Sequence, residues 1–234
     1  MDIIIESFKS ALKLLISFDK DTYDIIFLSL RISILSSLIS SIIGIFLAFV
    51  ISLKNFPAKK FILTFINTGM AMPPVIAGLL ITILLWRNGI LGSFNLLYTP
   101  SAIIIAQTLL ATPIILGISV SAFQHFPDKF ILQLLGLGAN KFHLFLIMLK
   151  ECKLSILSAI MAGFGAVISE VGASLMVGGN IKGYTRVLTT ATVTESSKGN
   201  FDLAIAYGII LMFITFTINF ILTKIQQSST KRYE

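Results

Sequence analysis

The sequence predicts an all-α integral membrane protein, with five transmembrane helices preceded by an amphipathic N-terminal helix. Three observations carry that prediction. Of 234 residues, 56% are hydrophobic and the mean hydropathy is +0.93. Only 12% are charged, about half of the quarter that a soluble domain carries. Five stretches have the roughly 20 mostly apolar residues that a membrane-crossing helix needs: 25–51, 61–86, 101–123, 154–177 and 201–222. They lack the period-two alternation of membrane strands, so helix is the conformation that satisfies their backbone.

The remaining composition narrows the chemistry. A single cysteine, Cys152, excludes an internal disulfide framework. With His125 and His143 the only histidines, a His-built metal or catalytic site is not expected, and no cofactor is assigned to the chain. The net charge of +7 is spread along the sequence, which points to orientation in a bilayer and not to nucleic acid.

The elements follow in order. Within residues 1–24, Ile4, Ile5, Phe8, Leu12, Leu15 and Ile16 recur at helical spacing, with Glu6, Lys9, Lys13 and Lys20 between them. That pattern predicts a helix lying at the interface, too charged to span and without the apolar core and cleavage site of a signal peptide. Residues 25–223 form the membrane domain and 224–234 a tail. One set of connections and the tail holds Lys54, Lys59, Lys60, Lys129, Lys141, Lys150, Lys153, Lys224, Lys231 and Arg232 against Asp128, Glu151 and Glu234. The other set balances its lysines and arginines with acids. Basic connections stay cytoplasmic, so the N-terminus is expected outside and the C-terminus inside.

The first span carries Ser36, Ser40, Gly44 and Ala48 at four-residue steps, with Ser33, Ser37 and Ser41 on an adjoining stripe. Small residues at that spacing let helices approach closely in lipid, and two readings stand: packing within the subunit, or hydroxyls lining a polar path. Arg31 lies about two turns inside this span, within snorkelling reach of the interface. The second span contains Thr68-Gly69-Met70-Ala71-Met72-Pro73-Pro74. Two prolines there should bend or break the helix, and broken helices at membrane depth persist only against protein or a wet cavity. Pro113, after Thr112, is expected to act similarly in the third span, which Thr99 and Pro100 open as N-cap and first-turn proline.

The connection 124–153 reads as a short helix, a glycine turn and a second amphipathic helix. Phe142 and Phe145 beside the turn suggest a docking surface, with self-packing beneath the membrane domain as the alternative. In the fourth span, Gly165, Ser169 and Ala173 repeat the small-residue spacing beside Glu170 and Ser174. A carboxylate as deep as Glu170 costs on the order of 3 kcal/mol to insert, so it needs a partner, protonation or a water-filled cavity. Gly199, Asn200 and Asp202 open the fifth span, the acid near the positive helix end.

These residues resemble the membrane permease subunits of ATP-binding-cassette importers, in the molybdate, sulfate and tungstate branch. Leu137-Gly138-Ala139 matches part of that family's conserved loop, although Leu132-Gln133-Leu134 replaces its Glu-Ala-Ala and Lys150-Glu151 its Leu-Pro. The more specific match is Ser169-Glu170-Val171-Gly172-Ala173 followed by Val177-Gly178-Gly179-Asn180-Ile181. With Met72-Pro73-Pro74-Val75-Ile76-Ala77-Gly78, this form is most similar to the tungstate branch. Ala166 stands where related oxyanion permeases often have an arginine.

The resemblance implies a type I importer permease fold, working as a homodimer with two cytoplasmic ATPase subunits and an extracytoplasmic substrate-binding protein. It implies import of an oxyanion, tungstate foremost, with molybdate, sulfate or another small solute as the alternative. It makes Leu137, Gly138, Ala139, Asn140, Phe142 and Phe145 the ATPase-coupling candidates. Thr68, Met72, Pro73, Pro74, Thr112, Ser169, Glu170 and Ser174 are the pathway or gate candidates. The chain has no Gly-x-x-x-x-Gly-Lys-Ser/Thr loop, so ATP and Mg2+ are expected on the partner and no catalytic residue on this chain. A standalone secondary transporter is the competing class. It would be expected to show an inverted pair of broken segments, which the sequence lacks.

Overall fold

The computed structural model describes residues 2–53 and 56–230. Lys54, Lys231, Arg232 and Glu234, used above to orient the chain, lie outside them. Among the described residues the secondary structure is helical: α1 (Asp2–Ile16), α2 (Lys20–Leu53), α3 (Lys59–Met70), α4 (Pro74–Leu85), α5 (Pro100–Gln124), α6 (Asp128–Gly136), α7 (Lys141–Glu151), α8 (Lys153–Ile168), α9 (Gly172–Gly178), α10 (Leu188–Ser197) and α11 (Phe201–Thr230). Three helices, α2, α5 and α11, are long and apolar enough to cross a membrane. Two bent pairs qualify when each is taken together, α3 with α4 at 102° and α8 with α9 at 59°. These occupy the five predicted stretches.

Helices α2 and α5 form the central pair. Ser36, Ser40, Gly44 and Ala48 face α5 and are buried, while Ile34, Ile42 and Phe46 on the opposite face are exposed, as lipid-facing positions are. Two apolar clusters sit along this pair. One joins Ile32 to Ile81, Leu85, Ile103, Ala106, Ala173 and Val177. The other joins Ala48 and Phe49 to Ile66, Leu116, Phe123, Leu144 and Met148. Ser36 and Ser40 lie between them on α2.

Helix α1 departs from its sequence pattern. It packs on α11 through Ser7 and Ala11, both buried, while Phe8, Leu12 and Ile16 point away from the protein. The small face makes the contact because it permits close approach, which leaves the bulky face for lipid. Asp19 then caps α2, accepting from the Thr22 N–H at 2.9 Å and its hydroxyl at 2.6 Å, and these bonds hold the Asp19 carboxyl below its usual range.

Thr99 caps α5 as expected, its hydroxyl oxygen accepting from the Ala102 N–H. Pro113 does not do what Pro73 and Pro74 do: α5 runs unbroken through it. A single proline deletes one helical donor and leaves the flanking turns bonded, and here those turns are held between α2, α3 and α8.

Candidate pathway and docking loop

The second span breaks where two consecutive prolines dictate it. Met72 and Pro73 both precede a proline and are driven out of the α region. Pro73 accordingly sits at φ −60°, ψ 129°, and Pro74 occupies the first turn of α4. The bend opens a cleft of about 570 Å³ against α5, lined by Thr68, Met72, Pro73, Thr112, Pro113 and apolar neighbours. Its chemistry is almost wholly apolar. The Thr68 hydroxyl donates to the Thr64 carbonyl at 2.9 Å and the Thr112 hydroxyl to the Thr108 carbonyl at 2.7 Å. Both protons are committed to their own helices, so an anion in the cleft meets hydroxyl lone pairs and not donors. Pro74 is exposed beside it.

The fourth span breaks without a proline. Glu170, 5% exposed, folds its carboxyl back on the chain. It accepts from the Ala173 N–H at 2.7 Å, the Ser174 N–H at 2.9 Å and the Ser174 hydroxyl at 2.7 Å. These bonds take up N–H groups that the start of α9 leaves unpaired, and so stabilise a second helix start in mid-span. Its own carbonyl accepts from the Thr189 hydroxyl at 2.8 Å. Glu170 and Ser174 therefore lie in the protein interior, away from the cleft that Thr68 and Thr112 line. Ser169 is exposed at the bend and donates back to the Gly165 carbonyl.

Gln107 completes this centre. Its Nε2 donates to the Val167 carbonyl at 3.1 Å and to Ser174 Oγ at 3.5 Å. Its Oε1 accepts from the Ser36 hydroxyl at 3.1 Å. The side chain thus ties α2, α5, α8 and α9 together. Gln107 escaped the sequence reading; the available signal was a lone amide inside an apolar span, which has to find partners there.

At the end of the bundle where α2 begins, Lys182 pairs with Asp21 at 2.6 Å. Beside this pair lies a cavity of about 310 Å³ lined by Asp24, Tyr184 and Arg186 among others. Groups of both signs line it, Asp21 and Asp24 with Lys182 and Arg186. Glu195 accepts from Asn200 at 2.8 Å and from Lys198 at 2.7 Å, and these contacts keep its carboxyl below the usual range.

At the opposite end, α6 closes in a Schellman motif. The Ala139 N–H donates to the Leu134 carbonyl and the Gly138 N–H to the Leu135 carbonyl, both at 3.0 Å. Gly138 takes φ +87°, the left-handed conformation that this motif requires and that glycine adopts without strain. Asn140 caps α7 by accepting from the His143 N–H at 2.8 Å. Leu132, Leu137 and Phe142 stand out from the protein, Leu137 at 84% exposure. Phe145 does not. Its ring packs edge-on against Phe49 at 4.9 Å, so the predicted exposed aromatic is an anchor joining the loop to α2. Cys152, at the start of α8, is half-buried, and burial with the nearby Glu151 pushes its thiol up.

The protein-family comparison decides the class. Residues 40–234 match the binding-protein-dependent transport system inner membrane component. The chain belongs to that family. This permease is 39% identical to the tungstate uptake system permease protein TupB of Peptoclostridium acidaminophilum, over 97% of this chain and 100% of the relative. It is 33% identical to the protein of the same name from Campylobacter jejuni, over 97% of this chain and 95% of the relative. The molybdenum transport system permease protein ModB of Haemophilus influenzae is more distant, 25% identical over 70% and 75% of the two chains. The permease is thus the multi-pass inner-membrane subunit of an ABC importer, and ATP hydrolysis and substrate capture belong to separate partners.

Proposed function

We propose that this permease imports tungstate as a homodimer, with two cytoplasmic ATPase subunits and an extracytoplasmic binding protein. The observation that carries the reading is the 39% identity to a tungstate uptake permease across 97% of the chain. The Lys/Arg bias of the connections puts the N-terminus outside and the C-terminus in the cytoplasm. On that orientation the exposed loop of Leu137, Gly138, Ala139, Asn140 and Phe142 faces the cytosol and docks on the ATPase, with Phe145 transmitting its displacement to α2 through Phe49.

The permease acts as a two-state element. ATP binding draws the docked loops together and opens the cavity outward, and hydrolysis resets it. The cleft of Thr68, Met72, Pro73, Pro74 and Thr112 forms part of the path, with Ser169 at the second bend. Its committed hydroxyls suit a path that grips the anion weakly, leaving affinity to the binding protein. Glu170 and Ser174 shape that path by fixing the bend and do not contact the anion.

The test is ATP hydrolysis by the reconstituted complex with its cognate binding protein, loaded in turn with tungstate, molybdate or sulfate. Stimulation by tungstate at the lowest concentration supports the reading. Preference for molybdate or sulfate moves the permease to the specificity of its more distant relatives.

A further inference from the structure

The breaks in the second and fourth spans occur side by side. A Cβ placed on Gly172, the first residue of α9, falls 2.9 Å from Val75 Cγ2 in the first turn of α4. From there the two segments run in close contact. A Cβ on Gly78 would fall 2.7 Å from the Ala173 Cα and 3.2 Å from Met176 Cβ. Ala77, Ile81 and Leu85 of α4 share one apolar cluster with Ala173 and Val177 of α9. All four segments pack on α5, but the halves on the far side of the breaks belong to a different part of the core: Ile66 of α3 and Ile156 of α8 lie in the other cluster. Gln107, from α5, bonds to both sides of the fourth-span break, to Val167 on α8 and to Ser174 on α9.

We infer that the two breaks are one shared hinge on which α4 and α9 turn as a single body during transport, with Gln107 the positioning residue that sets the bend. This rests on the reading of the chain as an ATP-driven permease. A body held by interlocked backbones moves whole, because packed interfaces change between discrete arrangements and do not deform gradually. The freedom for that movement lies at the breaks, where no continuous helical hydrogen-bond ladder crosses. Gln107 biases the angle because its amide can serve both sides only at one bend.

Two variants test this in the assembled complex. With Cys152→Ser as background, Val75→Cys with Gly172→Cys is oxidised to link α4 to α9, and each measurement is compared with the same protein after reduction. Uptake, and basal ATP turnover that needs no anion, are expected within twofold of the reduced state. A fivefold or greater loss that reduction reverses would show that α4 and α9 separate during transport, and would overturn the inference. Gln107→Leu is expected to keep the complex assembled and basal hydrolysis within twofold, while the increment caused by the loaded binding protein falls at least fivefold. A purely structural role would lower both together, so a proportional loss, or unchanged stimulation, also overturns it. Failure of the functional reading shows separately, as a wild-type complex that no oxyanion stimulates.

Discussion

Replacing Glu170 separates a residue that shapes the bend from one that handles protons. Three hydrogen bonds end on its carboxyl oxygens, two of them from buried backbone N–H groups of α9. In Glu170→Ala, both N–H groups lose their acceptor, at about 1–3 kcal/mol each, whereas the Ser174 hydroxyl can turn to a helical carbonyl. Removing a costly intramembrane acid offsets part of this, by at most about 3 kcal/mol. The two groups together cost about 2–6 kcal/mol, so after the offset the central expectation is a net loss of about 2–3 kcal/mol. Glu170→Gln keeps one carbonyl oxygen and gives up one N–H partner, while also removing the acid, so it should lie near wild type. Thermal unfolding of the detergent-solubilised protein, with limited proteolysis at residues 169–171, reads the order wild type ≈ Gln > Ala. An Ala variant as stable as wild type would refute the clamp. A Gln variant that unfolds like Ala would show that the carboxylate itself, and not its acceptor geometry, holds α9.

Gly138→Ala should leave the membrane domain folded, because nothing lies within 4 Å of the added Cβ. Its φ of +87° nonetheless costs a side chain on the order of 1–3 kcal/mol, so ATPase docking and anion-stimulated turnover should both fall several-fold in pull-down and hydrolysis assays. Cys152 should react with an impermeant maleimide in inside-out vesicles and not in intact cells. Because its thiol is pushed up, the labelling rate should rise with pH beyond that of an exposed model thiol. Glu195 sits below its usual range, so its clamp on Lys198 and Asn200 is complete above the ordinary Glu pKa and is lost as pH falls through the lowered folded value. The protection of amides 195–202, corrected for the intrinsic exchange rate at each pH, should fall in wild type as the pH drops below the ordinary Glu range, and change much less in Glu195→Gln. Equilibrium binding of tungstate to the permease without its binding protein should be weaker than micromolar, and submicromolar affinity would reveal a cationic site that the cleft does not contain.

Much of the architecture was legible because lipid leaves a chain few choices. α2, α5 and α11 announce themselves as long apolar runs, and the break at Pro73-Pro74 follows from missing donors and steric restriction. The Gly138 turn was equally readable, since glycine between two amphipathic helices marks a left-handed cap. The break at Glu170 was not legible, because it is made by a side chain bonding its own backbone three and four residues on, and no residue type there forbids a helix. Pro113 shows the converse: a residue that disfavours helix was overridden by packing on several sides. Phe145 was misplaced because exposure depends on which face α7 turns toward Phe49, and spacing alone leaves that open. The eight pathway candidates separate in space for the same kind of reason. Thr68 and Thr112 meet at the cleft, while Glu170 and Ser174 turn inward to Gln107, a partner that only the tertiary fold brings near.

The central claim is that this permease moves an oxyanion by coupling to ATP, and uptake into proteoliposomes tests it most directly. Permease, ATPase and binding protein are reconstituted with ATP on the ATPase side and tungstate on the other, at matched ion gradients. The account predicts accumulation against the tungstate gradient that disappears when ATP, the ATPase or the binding protein is omitted. Accumulation by the permease alone, driven by an imposed proton or sodium gradient, would contradict it.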